Sequence, residues 1–239
     1  MTPYTEQTTE ALMALLFTEE DRVTLAHLQE LAARPDAVEP LRAILRNEYY
    51  WAEGRDGEFW IELHAIAILC LAKAAAAIPD LLPTLVLTSL HDVDWLFDRL
   101  AGHLAQFGTV LISPLKRLVR DLRAKEQESY DYSFARVEAA ETLIRIALEH
   151  PEVKDEVVSF LCDCLLDPTE NDQMFNALMG DQLVYLDREN VIIAMKAAYE
   201  RDSVDESITG NFDRFLAGIE TYKDIRMSEL MVDPLVLIL

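Results

Sequence analysis

The sequence predicts an all-α fold, and three observations predict it. Seven glycines occur in 239 residues. No segment sustains the apolar–polar alternation of a half-buried strand. Apolar residues instead recur at three- and four-residue spacings along most of the chain, the period of an amphipathic helix. The order of these segments narrows the expectation to an α-solenoid: one domain of about five stacked helical hairpins. Residues 1–35 would cap one end, and 205–239, with the apolar tail Val232–Leu239, the other.

The stretch from Glu58 to Leu90 organises the rest. Phe59, Leu63, Ala67, Cys70 and Ala74 make one side of a helix; Ile61, Ala65, Ile68 and Ala72 make the other. Apolar on both sides, it must be buried on more than one side. Ile78-Pro79-Asp80 ends it and opens a second helix, because proline fits a first helical turn.

Before this pair, residues 5–17 read as a helix with Leu12, Leu15 and Leu16 as its apolar edge. A second helix is expected from about 19 to 33, with Glu19, Glu20 and Asp21 in its first turn. Pro35-Asp36 breaks it, and Leu41, Ile44 and Leu45 share the next face. Residues 52–57 read as a loop. After the pair, Leu96, Leu100, Leu104 and Phe107 line a helix capped by Asp92 or Asp94. Ser113-Pro114 reads as an N-cap followed by a proline at the first helical position. A polar stretch, 124–132, separates that helix from the one carrying Val137, Ala140, Ile144 and Leu148, on which Glu141 can pair with Arg145. His150-Pro151 and Asp167-Pro168 bracket the following helix, Asp187 caps another, and a last helix covers roughly 211–229.

The second helices start at Pro40, Pro79, Pro114, Pro151 and Arg188, intervals of 35 to 39 residues. That period suits a helix pair that cannot bury its face alone and so stacks on its neighbours. The pieces LHAIAILCLAK, the Pro79-led helix, ARVEAAETLIRIAL and AYERDSVDES together resemble an uncharacterised bacterial family of HEAT-like helical proteins. The resemblance runs from Leu63 to Ser207, and it implies an architecture and no known activity. Some relatives carry a C-terminal SEC-C zinc motif; this chain ends in VDPLVLIL and lacks those cysteines.

The formal charge of −22 is spread through the helices. Nucleic-acid binding needs phosphate neutralisation, so this balance argues against it. The segment MTPYTEQTTE lacks the basic start of a signal peptide, and no run is long and apolar enough for a membrane span. A cytoplasmic protein with no membrane partner is the expectation. Cys70, Cys162 and Cys164 make neither a disulfide framework nor a zinc set. On a helix, Cys162 and Cys164 point about 200° apart, a poor grip for one metal. No cofactor is implied.

Three constellations carry the candidate chemistry. His91-Asp92, with His64 upstream and Asp131 or Asp163 downstream, resembles the ligand set of HD-domain phosphohydrolases, which bind metal and activate a water on a phosphoester. Asp94 stands where that family has a small residue. His91 at a helix C-terminus and Asp92 as an N-cap account for both residues without metal. Lys116, Arg117, Arg120, Arg123 and Lys125 form a basic ridge, able to meet an acidic partner or a phosphate, or to balance neighbouring acids. Asn47–Trp51 with Phe59 and Trp60 cluster aromatics around a loop, as binding hot spots do, and packing of the first helix pair against the second accounts for them equally. No G-x-S-x-G or glycine-rich phosphate loop occurs. The expected function is therefore a non-catalytic protein-interaction scaffold for an unknown protein or peptide, as monomer or homodimer. A metal-dependent phosphohydrolase on His64, His91 and Asp92 is the alternative.

Overall fold

The computed structural model describes residues 3–51, 60–91, 94–123, 131–170 and 172–232, with backbone alone at 94–98, 123 and 131. Among them the regular structure is all helical, as the glycine count and periodicity predict. The chain forms two compact units, one running to Phe107 and the other from Gly108 to Val232.

In the N-terminal unit, α1 (Thr9–Leu16) starts at Thr8, whose hydroxyl accepts the Ala11 amide. The single helix expected over 19–33 is divided. Glu20–Arg22 is a 3-10 turn, with Glu20 at a φ of 47°, and α2 (Leu25–Ala32) begins afresh. The cause is Thr24, whose hydroxyl takes the His27 amide at 3.3 Å and so caps a new helix. A 3-10 turn, Pro35–Ala37, leads into α3 (Val38–Leu45), followed by the short α4 (Glu48–Trp51).

Helix α5 (Trp60–Leu71) is buried without interruption from Ile61 to Cys70. It has no polar stripe because α2, α3 and α8 all pack on it. After the 3-10 turn Ala75–Ala77, the expected proline-led helix is broken into α6 (Ile78–Leu81) and α7 (Thr84–Leu90). Pro83 has no amide to donate at the junction, and the Thr84 hydroxyl donates to the Leu81 carbonyl there, at 2.6 Å. Helix α8 (Asp94–Ala105) completes the unit.

One ion-pair cluster joins α3 to α6. Arg42 Nε donates to Asp80 Oδ2 at 2.6 Å and Arg46 Nε to Asp80 Oδ1 at 2.8 Å, while both arginines also reach Glu39. The hydrogen bond from Arg46, with help from Arg42, holds the Asp80 carboxyl below the usual carboxylate range.

In the C-terminal unit a 3-10 turn, Gly108–Leu111, precedes α9 (Ile112–Arg123). The helix starts one residue before Ser113, so Ser113 is not its cap. Pro114 still lies in the first turn, where no amide is needed. The core helix α10 (Asp131–Glu149) lies against α9, α11 and α12. The 3-10 turn Pro151–Val153 opens α11 (Lys154–Leu166), and α12 (Gln173–Leu183) and α13 (Arg188–Glu200) follow. Asp187 caps α13 by accepting the Asn190 amide, as expected, and Asp172 and Asn211 cap α12 and α15 in the same way. Helix α11 packs beside α13, and α10 beside α12. Gly180 lets α12 and α13 close, because a β-carbon there would overlap Met195 Sδ. The short α14 (Glu206–Thr209) leads to α15 (Phe212–Leu230), which rests on α12 and α13.

Two polar networks tie this unit together. Arg136, 1% exposed, donates to Glu170 at 2.6 and 3.3 Å, to Asp172 at 3.3 Å and to the Val119 carbonyl at 3.1 Å. Its guanidinium lies 3.9 Å from the Phe175 ring centre. Arg145 pairs with Glu141 at 2.8 Å, the expected i,i+4 contact. It also donates to the Leu230 and Glu229 carbonyls, capping the C-terminal end of α15.

Candidate functional site

The candidate surface lies on α9, α11 and α13. Helix α9 presents part of the basic ridge. Lys116 pairs with Glu156 at 2.8 Å, and both Lys116 and Arg120 sit over the Phe160 ring of α11, at 5.0 and 4.9 Å from its centre. Phe160 thus fixes two cations by their attraction to its face. Arg117 is exposed. The Arg123 side chain and Lys125 lie outside the described residues.

Beside this ridge is a cavity of about 140 Å³ lined by Arg120, Phe160, Cys164 and the Arg136–Glu170 pair. On the other side of α11, between it and α13, runs a groove of about 330 Å³. Its floor is Val158 and Cys162, both buried. Its walls carry Leu166 and Ile193, apolar residues that are 45% and 60% exposed. Asp155, Asp163 and Asp187 also line it. The two cysteines open onto opposite sides of α11, Cys162 into the groove and Cys164 into the smaller cavity. That is the divergence expected of a C-x-C pair on a helix. Burial, then the charges of Asp187 and Asp163, push the Cys162 thiol up to about 11, so it is a protonated, unreactive floor at neutral pH.

No protein-family model, curated protein or solved structure matches the chain.

The other candidates lie in the N-terminal unit. His64 is buried on α5, stacked on Trp60 with ring centres 5.9 Å apart, and its Nδ1 has no hydrogen-bond partner among the described residues. Burial, then proximity to His27, lowers its pKa to about 4. His91 is the C-cap of α7, half-buried, 6.5 Å from the Trp51 ring. Asp92 lies outside the described residues, as does the side chain of Asp131. Asp163 belongs to the C-terminal unit. Among the described residues, no three or more His, Cys, Asp or Glu side chains stand together as a metal-holding group.

The aromatic run is divided in use. Trp51 is buried and donates from Nε1 to the Leu45 carbonyl, whereas Tyr49 is 66% exposed. Phe59 and the tail from Asp233 lie outside the described residues. No described helix is long and apolar enough to cross a membrane.

Sequence reasoning picked out the ridge and missed the groove. Asp155, Ser159, Cys162 and Leu166 follow one another at helical spacing, so half of it was legible. The other half, Asp187, Asn190 and Ile193, comes from a helix more than twenty residues later, and no local signal pairs the two.

Proposed function

We propose that this chain is a non-catalytic protein-interaction scaffold, built from short stacks of helical hairpins of the HEAT-like α-solenoid type. Three features support the architecture. Successive hairpins place like helix beside like helix, α2 by α5 and α3 by α6 in one unit, α10 by α12 and α11 by α13 in the other. Short 3-10 turns at Pro35–Ala37, Ala75–Ala77, Gly108–Leu111 and Pro151–Val153 recur just before the second helix of a pair. The second-helix starts repeat at solenoid spacing. Each pair leaves an outward face on its second helix, and such faces are the binding surfaces of repeat proteins.

The observation that carries the functional reading is the α9–α11–α13 surface. It places a cation–aromatic ridge and an acidic, apolar-walled groove on adjacent helices. Binding surfaces combine such exposed apolar anchors with a polar rim. The reading is tested on the full chain purified without chelator. Elemental analysis should find no near-stoichiometric manganese, iron or magnesium. A phosphoester and nucleotide panel with those metals added should show no turnover above a metal blank. Specific turnover that disappears in His91→Ala would replace this reading with a metal-dependent phosphohydrolase built on His64, His91 and Asp92.

A further inference from the structure

The scaffold reading leaves the partner's chemistry open, and the groove between α11 and α13 narrows it. The α11 wall is a stripe from Asp155 through Val158 and Cys162 to Leu166, spanning the length of the helix. At 1.5 Å per residue that is about 17 Å, three turns of an opposing helix. Asp187 and Ile193 face it from α13.

Among the described residues, three aspartates line this groove and no lysine or arginine does. Asp187 is committed to capping α13 through Asn190, with Lys154 nearby, but keeps its negative charge. Asp155 and Asp163 are exposed and make no ion pair among the described residues. Between the carboxylates, Leu166 and Ile193 stand out from the surface over a buried floor. A small anion is repelled by such a site. An acidic or neutral peptide leaves the carboxylates unanswered. A basic segment with apolar side chains satisfies both features, because its aliphatic residues cover Leu166 and Ile193 while its cations reach the flanking aspartates.

The backbone argues for a helical occupant. Between their end turns the amides and carbonyls of α11 and α13 are spent within their own helices, and neither helix offers an edge to an extended strand, so recognition falls to side chains at i, i+3 and i+4. Resting on the scaffold reading, we infer that the α11–α13 groove docks a basic amphipathic helix of a partner protein, with an apolar residue seated between Leu166 and Ile193 and cations on Asp155, Asp163 and Asp187.

The test uses the full chain and a labelled synthetic peptide of about 15 residues, leucine on one helical face and lysine elsewhere. A second peptide has glutamate in place of lysine. Because a chain of net charge −22 attracts any polycation, the control is a matched charge reversal on another helix, Asp213→Lys on α15. Fluorescence anisotropy should show binding of the lysine peptide, weakened about tenfold or more by Asp163→Lys and by Ile193→Ser. Asp213→Lys should change it less than about twofold. In methyl-labelled protein, the shifts should gather on Val158, Leu166 and Ile193. Equal loss in Asp163→Lys and Asp213→Lys, no difference between the two peptides, or no binding would overturn the inference. Shifts gathered on α9 instead would overturn the groove while leaving the scaffold reading standing, since that reading falls on the turnover assay.

Discussion

Replacing His103 with leucine is expected to stabilise the chain at neutral pH and to remove much of its loss of stability in acid. His103 lies on α8 with no exposed surface, and neither ring nitrogen finds a hydrogen-bond partner among the described residues. A buried polar group left in that state costs about 1–3 kcal/mol, which a leucine of similar bulk would recover. Burial, then the charge of Arg99, lowers the His103 pKa to about 3, as burial lowers that of His64 to about 4. His27, whose Nε2 donates to the Leu12 carbonyl at 2.9 Å, is shifted in the same direction, again by burial first.

The sign follows from where protons bind. Above an ordinary histidine pKa near 6.5, folded and unfolded chains are both neutral at these rings, and their full contribution to stability is present. As pH falls from about 6.5 towards 4, the unfolded chain takes up protons that the folded one refuses. Stability is then lost at about 1.4 kcal/mol per pH unit for each ring. His64 and His103 together would remove on the order of 6 kcal/mol by pH 4, comparable to the whole stability of a small domain. Protonation of carboxylates relieves repulsion in this acidic chain and opposes the trend, so the informative quantity is the difference between parent and variant. Urea unfolding at pH 7.5, 6, 5 and 4 should show the gap between His103→Leu and the parent widening below pH 6.5. A constant gap would mean that His103 is not buried in its neutral form.

Arg136→Met should cost about 3–5 kcal/mol, the range seen when one partner is removed from a buried ion pair. Its guanidinium serves two carboxylates, one carbonyl and one aromatic face at once. Glu170 is itself only 1% exposed. Methionine roughly conserves the length and apolar packing of the side chain, so the loss reports the charge. Adding Glu170→Gln should return part of that loss, because the buried negative charge goes with it. Thermal and urea unfolding of the parent, both single variants and the double variant complete the cycle. Strictly additive effects would contradict a direct coupling between Arg136 and Glu170.

How much of this was legible follows from the range of each interaction. Local signals held: Asp187 as a cap, Glu141 with Arg145, and the all-round apolar pattern that leaves α5 buried. Proline and threonine misled the boundaries. Pro83 falls inside the helix expected from Pro79 and Thr24 inside the one expected over 19–33, and each carries a local reason to break it. The Arg136–Glu170 pair and the α11–α13 groove join residues some thirty positions apart, and nothing local marks either. Lys116 and Arg120 were legible as a ridge, but their seat on Phe160 was not, because an apolar residue within a helix reads as core whatever lies above it.

The central claim is that the exposed second helices are where this protein acts, and that it acts by binding. The direct measurement is a hydroxyl-radical footprint of the full chain with and without a ligand selected from a random peptide library. The account predicts that protection gathers on exposed side chains of α9, α11 and α13, with Leu166 and Ile193 among them. Protection centred around His91 and Trp51, or a library that yields no ligand at all, would contradict it.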